Sequence, residues 1–80
     1  MTIDHDGETP VYRQLAEILR GKIDSGEIPA GRALPSIKTL AEQYGIARGS
    51  VERAVQILKD AGLVRTSIGR GLFVVPKDER

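Results

Sequence analysis

The sequence predicts a small α+β fold, mainly helical, in which three helices precede a C-terminal β-hairpin. Two apolar stripes and one glycine-rich corner carry that expectation. Ile37, Leu40, Ala41 and Tyr44 recur at i, i+3, i+4 and i+7, the mark of an amphipathic helix, and Val51, Ala54, Val55 and Leu58 repeat the spacing on a second. Gly45 lies between them, where an abrupt helix end favours a residue free to take the left-handed conformation. Two helices joined by so short a turn make a helix-turn-helix, whose second helix can enter a DNA major groove. Beyond it, the β-prone runs 63–68 and 72–75 flank Gly69-Arg70-Gly71, the pattern of a tight hairpin.

Taken in order, residues 1–8 are polar and without periodicity, and are expected to form a flexible tail. His5 stands there between Asp4 and Asp6, but neighbouring residues on a loose segment rarely converge on a metal, and no metal site or cofactor is expected. Thr9-Pro10 opens the first helix, with Thr9 as N-cap and Pro10 at the first helical position, where its missing N–H costs nothing. Val11, Leu15, Ile18, Leu19 and Ile23, helped by Tyr12 and Ala16, form its broad apolar face, and Gly26 closes it. Residues 27–35 connect, with a turn at Pro29-Ala30-Gly31. Ala33 and Leu34 are held extended before Pro35 and are able to add one short edge strand. Ser36 caps the next helix with half a capping box, since Thr39 stands where Glu or Gln would complete it. Ile46 plugs the corner, Ala61-Gly62 ends the third helix, and Pro76 ends the hairpin. Helix, edge strand, helix, helix and hairpin add up to a winged helix-turn-helix over residues 9–76, with residues 77–80 a charged tail or the start of a linker.

Composition narrows the function. Eighty residues make one domain, which buries roughly 60% of its unfolded surface. The absence of Cys excludes disulfides, thiolate chemistry and Cys-based zinc sites. No apolar run approaches a membrane span and the acidic N-terminus is no signal peptide, so a cytoplasmic protein without a membrane partner is expected. An enzyme is not expected: the one His lies in the tail, and neither a Gly-rich phosphate loop nor an acid pair falls in a plausible pocket. The net charge of +1 is unevenly spread, with residues 1–27 at −3 and residues 32–70 at +4, which gives the helix-turn-helix a field suited to a polyanion.

The outer side of the third helix completes the picture. Arg48, Gly49, Ser50, Glu52, Arg53 and Gln56 lie opposite its apolar stripe, and none is bulky and apolar. Arg48 is suited to the O6 and N7 acceptors of guanine, and Glu52 can accept from a cytosine amine. One turn apart, the two can also pair along the helix. An orienting or phosphate-repelling role for Glu52 is preferred, because a carboxylate near bases competes with phosphate charge. The alternative reading of the whole chain is a winged-helix module for protein–protein interaction, which would carry an exposed apolar patch on this helix. RNA is a poorer partner, since an A-form major groove is too narrow for a helix.

Pro10-Val11-Tyr12-Arg13-Gln14-Leu15, Ile23 with Gly26, Gly31 with Leu34-Pro35-Ser36, and Leu40-Ala41 form a register that continues through Gly45-Ile46-Ala47-Arg48, Val51, Ala54, Leu58, Gly62-Leu63-Val64 and Gly69-Arg70-Gly71 with Phe73-Val74. In this the chain resembles the N-terminal DNA-binding domain of GntR-family bacterial transcriptional regulators, from Pro10 to Val75. The resemblance implies sequence-specific binding of double-stranded DNA at a palindromic operator. It implies that Lys38 contacts DNA from the start of the second helix and that Arg48 contacts bases or phosphates. Positions 47, 49 and 50 would touch the backbone, and Gly69 and Gly71 would let the wing, tipped by Arg70, approach the minor groove. It implies a homodimer in the intact regulator, with these 80 residues alone monomeric or weakly dimeric, and an effector metabolite only where a C-terminal domain exists. The sequence departs from the pattern at Ile37 for the usual Glu, at Ala47 and Gly49 for hydroxyl residues, at Glu52 for Arg, and at Leu72 for Thr.

Overall fold

The computed structural model describes residues 3–67 and 71–79. Three helices, α1 (Val11–Ser25), α2 (Ile37–Tyr44) and α3 (Arg48–Asp60), lead into an antiparallel hairpin of β1 (Val64–Ser67) and β2 (Gly71–Val74), and a 3-10 turn follows over Lys77–Glu79. This is the winged helix-turn-helix expected. The hairpin tip at residues 68–70, and with it Gly69 and Arg70, lies outside the described residues.

Helix α3 is the centre of the packing. Val51, Ala54, Val55 and Leu58 are all buried, and around them gather Leu15, Ala16, Ile18, Leu19 and Ile23 from α1, Leu40 from α2, and Leu63, Val64 and Val74 from the hairpin. The α2 stripe borders this core more than it fills it: only Leu40 is buried, while Ile37, Ala41 and Tyr44 pack against it half-exposed. At the corner Gly45 takes φ 65°, ψ 40°, and both its own N–H and that of Ile46 turn back to the carbonyl of Ala41. Those bonds satisfy the last turn of α2 and let Ile46 pack against the core, as its apolar side chain requires.

Strand pairing in the hairpin is Val64↔Val74, Arg65↔Phe73, Thr66↔Leu72 and Ser67↔Gly71, which points the two valines inward and sets Arg65 beside Phe73 on the other face. The Arg65 guanidinium lies 5.2 Å from the Phe73 ring centre. The expected edge strand is present as a short third rung: Ala33 bridges Phe73, Leu34 N–H donates to Leu72 O at 2.8 Å, and Val74 N–H donates to Arg32 O at 2.9 Å. Ser36 caps α2 through Thr39 N–H at 3.1 Å, the half capping box read from the sequence.

The start of α1 differs from expectation. Pro10, not Thr9, is the N-cap, with ψ 144°, and its carbonyl accepts from the N–H groups of Arg13 and Gln14. Thr9 offers its carbonyl instead, to the Gln14 amide at 2.7 Å. The same amide donates to Asp4 O and accepts from Asp4 N–H, each at 2.7 Å, so Gln14 fastens the segment expected as a tail against α1. Ile3, at its end, enters the core with 7% exposure. Elsewhere on α1, Lys22 lies 3.4 Å from Glu27, and its ammonium is held above the ordinary lysine value by the Tyr44 hydroxyl first and Glu27 second.

Two glycines expose the opposite effects of one substitution. Gly21 is exposed inside α1 and a Cβ there meets nothing, whereas Gly45 holds a positive φ in equally open space. Gly21→Ala therefore stabilises by about 1 kcal/mol through helix propensity, and Gly45→Ala destabilises by about 1–2 kcal/mol through torsion alone. Urea denaturation of the two variants measures both; equal signs would refute the assignment.

Candidate nucleic-acid interface

With its inner stripe sealed, α3 presents the rest of its circumference outward. Arg48, Gly49, Glu52, Arg53 and Gln56 are exposed and Ser50 is half-exposed, so every predicted position of the helix except the half-sheltered Ser50 lies open. Lys38, the second residue of α2, is exposed as well. The turn makes α3 begin immediately after α2 ends, and this brings the first turn of α3 to the corner of the motif. Its N-cap is Ala47, extended at φ −67°, ψ 148°, whose carbonyl accepts from Ser50 N–H and Val51 N–H at 3.1 and 3.2 Å. Ala47 has no side-chain acceptor, so the first turn lacks the cap that a hydroxyl residue supplies. Gly49 has φ in the ordinary helical range and open space around it, so the fold does not demand glycine there. What Ala47 and Gly49 contribute is a bare backbone at the positive end of the helix dipole.

Three side chains on the outer face differ in how they are held. Arg48 and Glu52 do not form the pair that their spacing permits; both are exposed, and neither has an ion-pair or hydrogen-bond partner among the described residues. Such exposed pairs gain little Coulomb energy in water and cost side-chain entropy. Gln56 is tied down, its amide donating to Asp60 Oδ1 at 2.9 Å one turn on. Arg53 leans toward α1 and stacks its guanidinium 4.2 Å from the centre of the Tyr12 ring. Sequence reasoning used Tyr12 only as a core residue and did not place Asp60 at the site. The i, i+4 spacing of Gln56 and Asp60 was the available signal for the second; no local pattern signals the first.

On the wing, Gly71 opens β2 with φ 75°, a conformation that favours glycine. Leu72, where a Thr is usual in the resemblance, is half-buried against the core. Among the described residues no three of His, Asp and Glu gather as they would around a metal ion, and no helix is long and apolar enough to cross a membrane. A shallow groove of about 260 Å³ between α1 and α3 is lined by Arg13, Glu17, Arg20, Ile57 and their apolar neighbours. It holds no nucleophile or acid pair.

Comparison with known proteins agrees with this geometry. Residues 11–74 match the model for bacterial regulatory proteins of the gntR family. The HTH-type transcriptional repressor NagR of Bacillus subtilis is 40% identical over 81 residues, covering 100% of this chain and 33% of that protein. This chain thus spans a third or less of the length of the curated relatives it matches, 33% of one and 14% of another. Among solved structures, YtrA from Sulfolobus acidocaldarius, a GntR-family transcription factor, superposes with a TM-score of 0.87 at 33% identity, over 95% of this chain and 80% of that one. The DNA-binding domain of AraR, solved with operator ORE1, superposes with a TM-score of 0.80 at 28% identity, over 90% and 88% of the two chains.

The uncapped start of α3 yields a direct check. Ala47→Ser places an acceptor at the N-cap in backbone geometry that already suits it, and stabilises the domain by about 1 kcal/mol. Thermal and urea unfolding of the two proteins measure the gain; unchanged stability would mean that backbone and solvent already satisfy the first turn.

Proposed function

This chain belongs to the GntR family of bacterial regulatory proteins, and we propose that it binds double-stranded DNA in a sequence-specific manner, with α3 in the major groove and the hairpin at the minor groove. The observation that carries the reading is the division of α3: four buried residues lock it to the core, while Arg48, Gly49, Glu52, Arg53 and Gln56 lie open on its outward side. A helix with side chains is about 10–12 Å across and a B-DNA major groove about 12 Å wide, so a locked helix delivers those groups to base edges as a unit. The structural likeness to the operator-bound AraR domain supports the same placement. Protein docking by this face fits less well. Ile57 is the one large hydrophobic residue exposed among the described residues, and it sits at the α1 border, away from the centre of the outward face.

In this reading Arg48 reads a base, Lys38, Ser50 and the bare backbone at Ala47 and Gly49 approach phosphates, and Gln56 presents an oriented amide. The wing residues Gly69, Arg70 and Gly71 border the minor groove. The intact regulator acts in the cytoplasm as a homodimer on a palindromic operator, as a repressor like the similar NagR. These 80 residues alone, monomeric or weakly dimeric, occupy half-sites. An effector metabolite enters only where the intact protein carries a C-terminal domain.

Three to five phosphate contacts give a log–log salt slope of roughly −3 to −5 per bound domain. Arg48→Ala costs about 1–3 kcal/mol of binding and relaxes preference at one base position of the half-site. Titration of fluorescent duplexes at several salt concentrations, followed by footprinting of the best binder, measures both. Affinity indifferent to salt, or an Arg48→Ala variant with unchanged base preference, contradicts the reading.

Glu52 does not pair with Arg48 in the free domain, which favours the phosphate-repelling role over the orienting one. Glu52→Gln then raises affinity for all duplexes alike and leaves the preferred sequence intact. Selection from random duplexes with both proteins tests this: loss of a C·G preference in the variant would instead mark Glu52 as a cytosine reader.

A further inference from the structure

The cation on α3 that is held in place is Arg53, and a residue of another helix holds it. Tyr12 stands in the first turn of α1, half-buried and packed against the core, so its ring is fixed by the fold. The Arg53 guanidinium lies 4.2 Å from the centre of that ring, well inside the range of a cation–π contact. Stacking occupies one face of the guanidinium and leaves its five in-plane N–H donors untouched. None of them donates to a protein acceptor among the described residues, and no carboxylate pairs with the group. Arg53 is therefore an exposed cation with its direction set and its hydrogen-bonding capacity unspent. Arg48, by contrast, is directed by nothing among the described residues.

Position on the helix decides what such a group meets. Glu52 precedes Arg53 by one residue, about 100° round the helix. The carboxylate thus occupies the open side shared with Arg48 and Gln56, and the guanidinium is drawn toward α1. A helix in the major groove meets bases along its outward line, and the two backbones that border the groove face its flanks, one of which is the side toward α1. We infer that Tyr12 is a positioning residue that holds Arg53 as a preformed phosphate contact at the α1–α3 junction, so that Arg53 anchors the domain to the DNA backbone and takes no part in reading bases. The inference rests on the DNA-binding reading above. Its physical advantage is entropic: an arginine already ordered by stacking loses less freedom when it binds, and planar N–H donors suit bidentate contact with phosphate.

A double-mutant cycle tests this on the 80-residue chain, using one preferred and one random-sequence duplex at several salt concentrations. Arg53→Ala weakens binding to both duplexes about tenfold, the worth of one charge-assisted contact, and reduces the magnitude of the salt slope by about one. Tyr12→Leu weakens binding about two- to fivefold in the presence of Arg53 and has no further effect once Arg53 is Ala. Tyr12→Phe, which keeps the ring face, binds within about twofold of the parent. An equal loss from Tyr12→Leu with and without Arg53 would overturn the positioning role, and a loss in Tyr12→Phe matching Tyr12→Leu would assign the contact to the hydroxyl. An Arg53→Ala variant that changes base preference at constant salt slope would overturn the backbone role. If Tyr12→Leu does not fold, the Arg53 Hε resonance of the unmodified protein decides instead: it is shifted by the ring current in the free state and moves again on adding duplex, and absence of either change refutes the inference. Failure of the parent chain to bind any duplex sinks the DNA reading itself, whereas salt-dependent binding with an additive cycle sinks only this inference.

Discussion

Burial of one side of α3 is the interaction on which the rest of the structure depends. Val51, Ala54, Val55 and Leu58 leave water completely or nearly so, and they do so against three different partners, α1, α2 and the hairpin. Fully burying a side chain of the Val or Leu kind contributes about 1.5–3 kcal/mol, an upper estimate because denatured chains already bury some surface. A domain of this size has few such contributions to spare. No other element touches all the remaining layers, so loss of packing at Val51 or Leu58 would release the helices and the wing together. The same burial makes α3 a usable reading head, because a helix seated on one side is rigidly displayed on the other.

Aromatic residues are few, and every one is engaged with a cation. Tyr12 carries Arg53, Phe73 carries Arg65, and the Tyr44 hydroxyl helps hold Lys22 in its charged form. The two tyrosines also pack against the core, so each links apolar burial to the direction of a surface charge. In a small domain whose net charge is only +1, the orientation of individual cations matters more than the total field. Among the described residues nothing restrains Arg48 or Glu52 in this way, which leaves both to be arranged by whatever they bind.

Helix ends show a related economy. Gly26, Gly45 and Gly62 all take positive φ after their helices, at 84°, 65° and 77°, and the chain turns sharply at each. The start of α2 has a serine cap, whereas α1 and α3 begin on Pro10 and Ala47 with no side-chain cap. At α3 the missing cap coincides with the corner of the motif facing the proposed ligand. There a hydroxyl would stabilise the free domain and also occupy the positive end of the helix.

Periodicity and turn chemistry were enough to specify the three helices, the corner at Gly45, the hairpin and the third rung at Ala33, because each depends on residues close in sequence or on an alternation that any half-buried element must show. They also identified the outward residues of α3, which follow from the buried stripe by subtraction. Tertiary structure alone decided which outward residues are held and which are free. Arg53 is directed by Tyr12, forty-one positions earlier, and the segment before α1 is fastened by Gln14 across ten positions. The Arg48–Glu52 pair, legible as a spacing, does not form because water screens it and nothing buries it. Local patterns report which side of an element is apolar. The contacts that orient a charge come from whichever element the fold brings alongside, and that is settled only when the core closes.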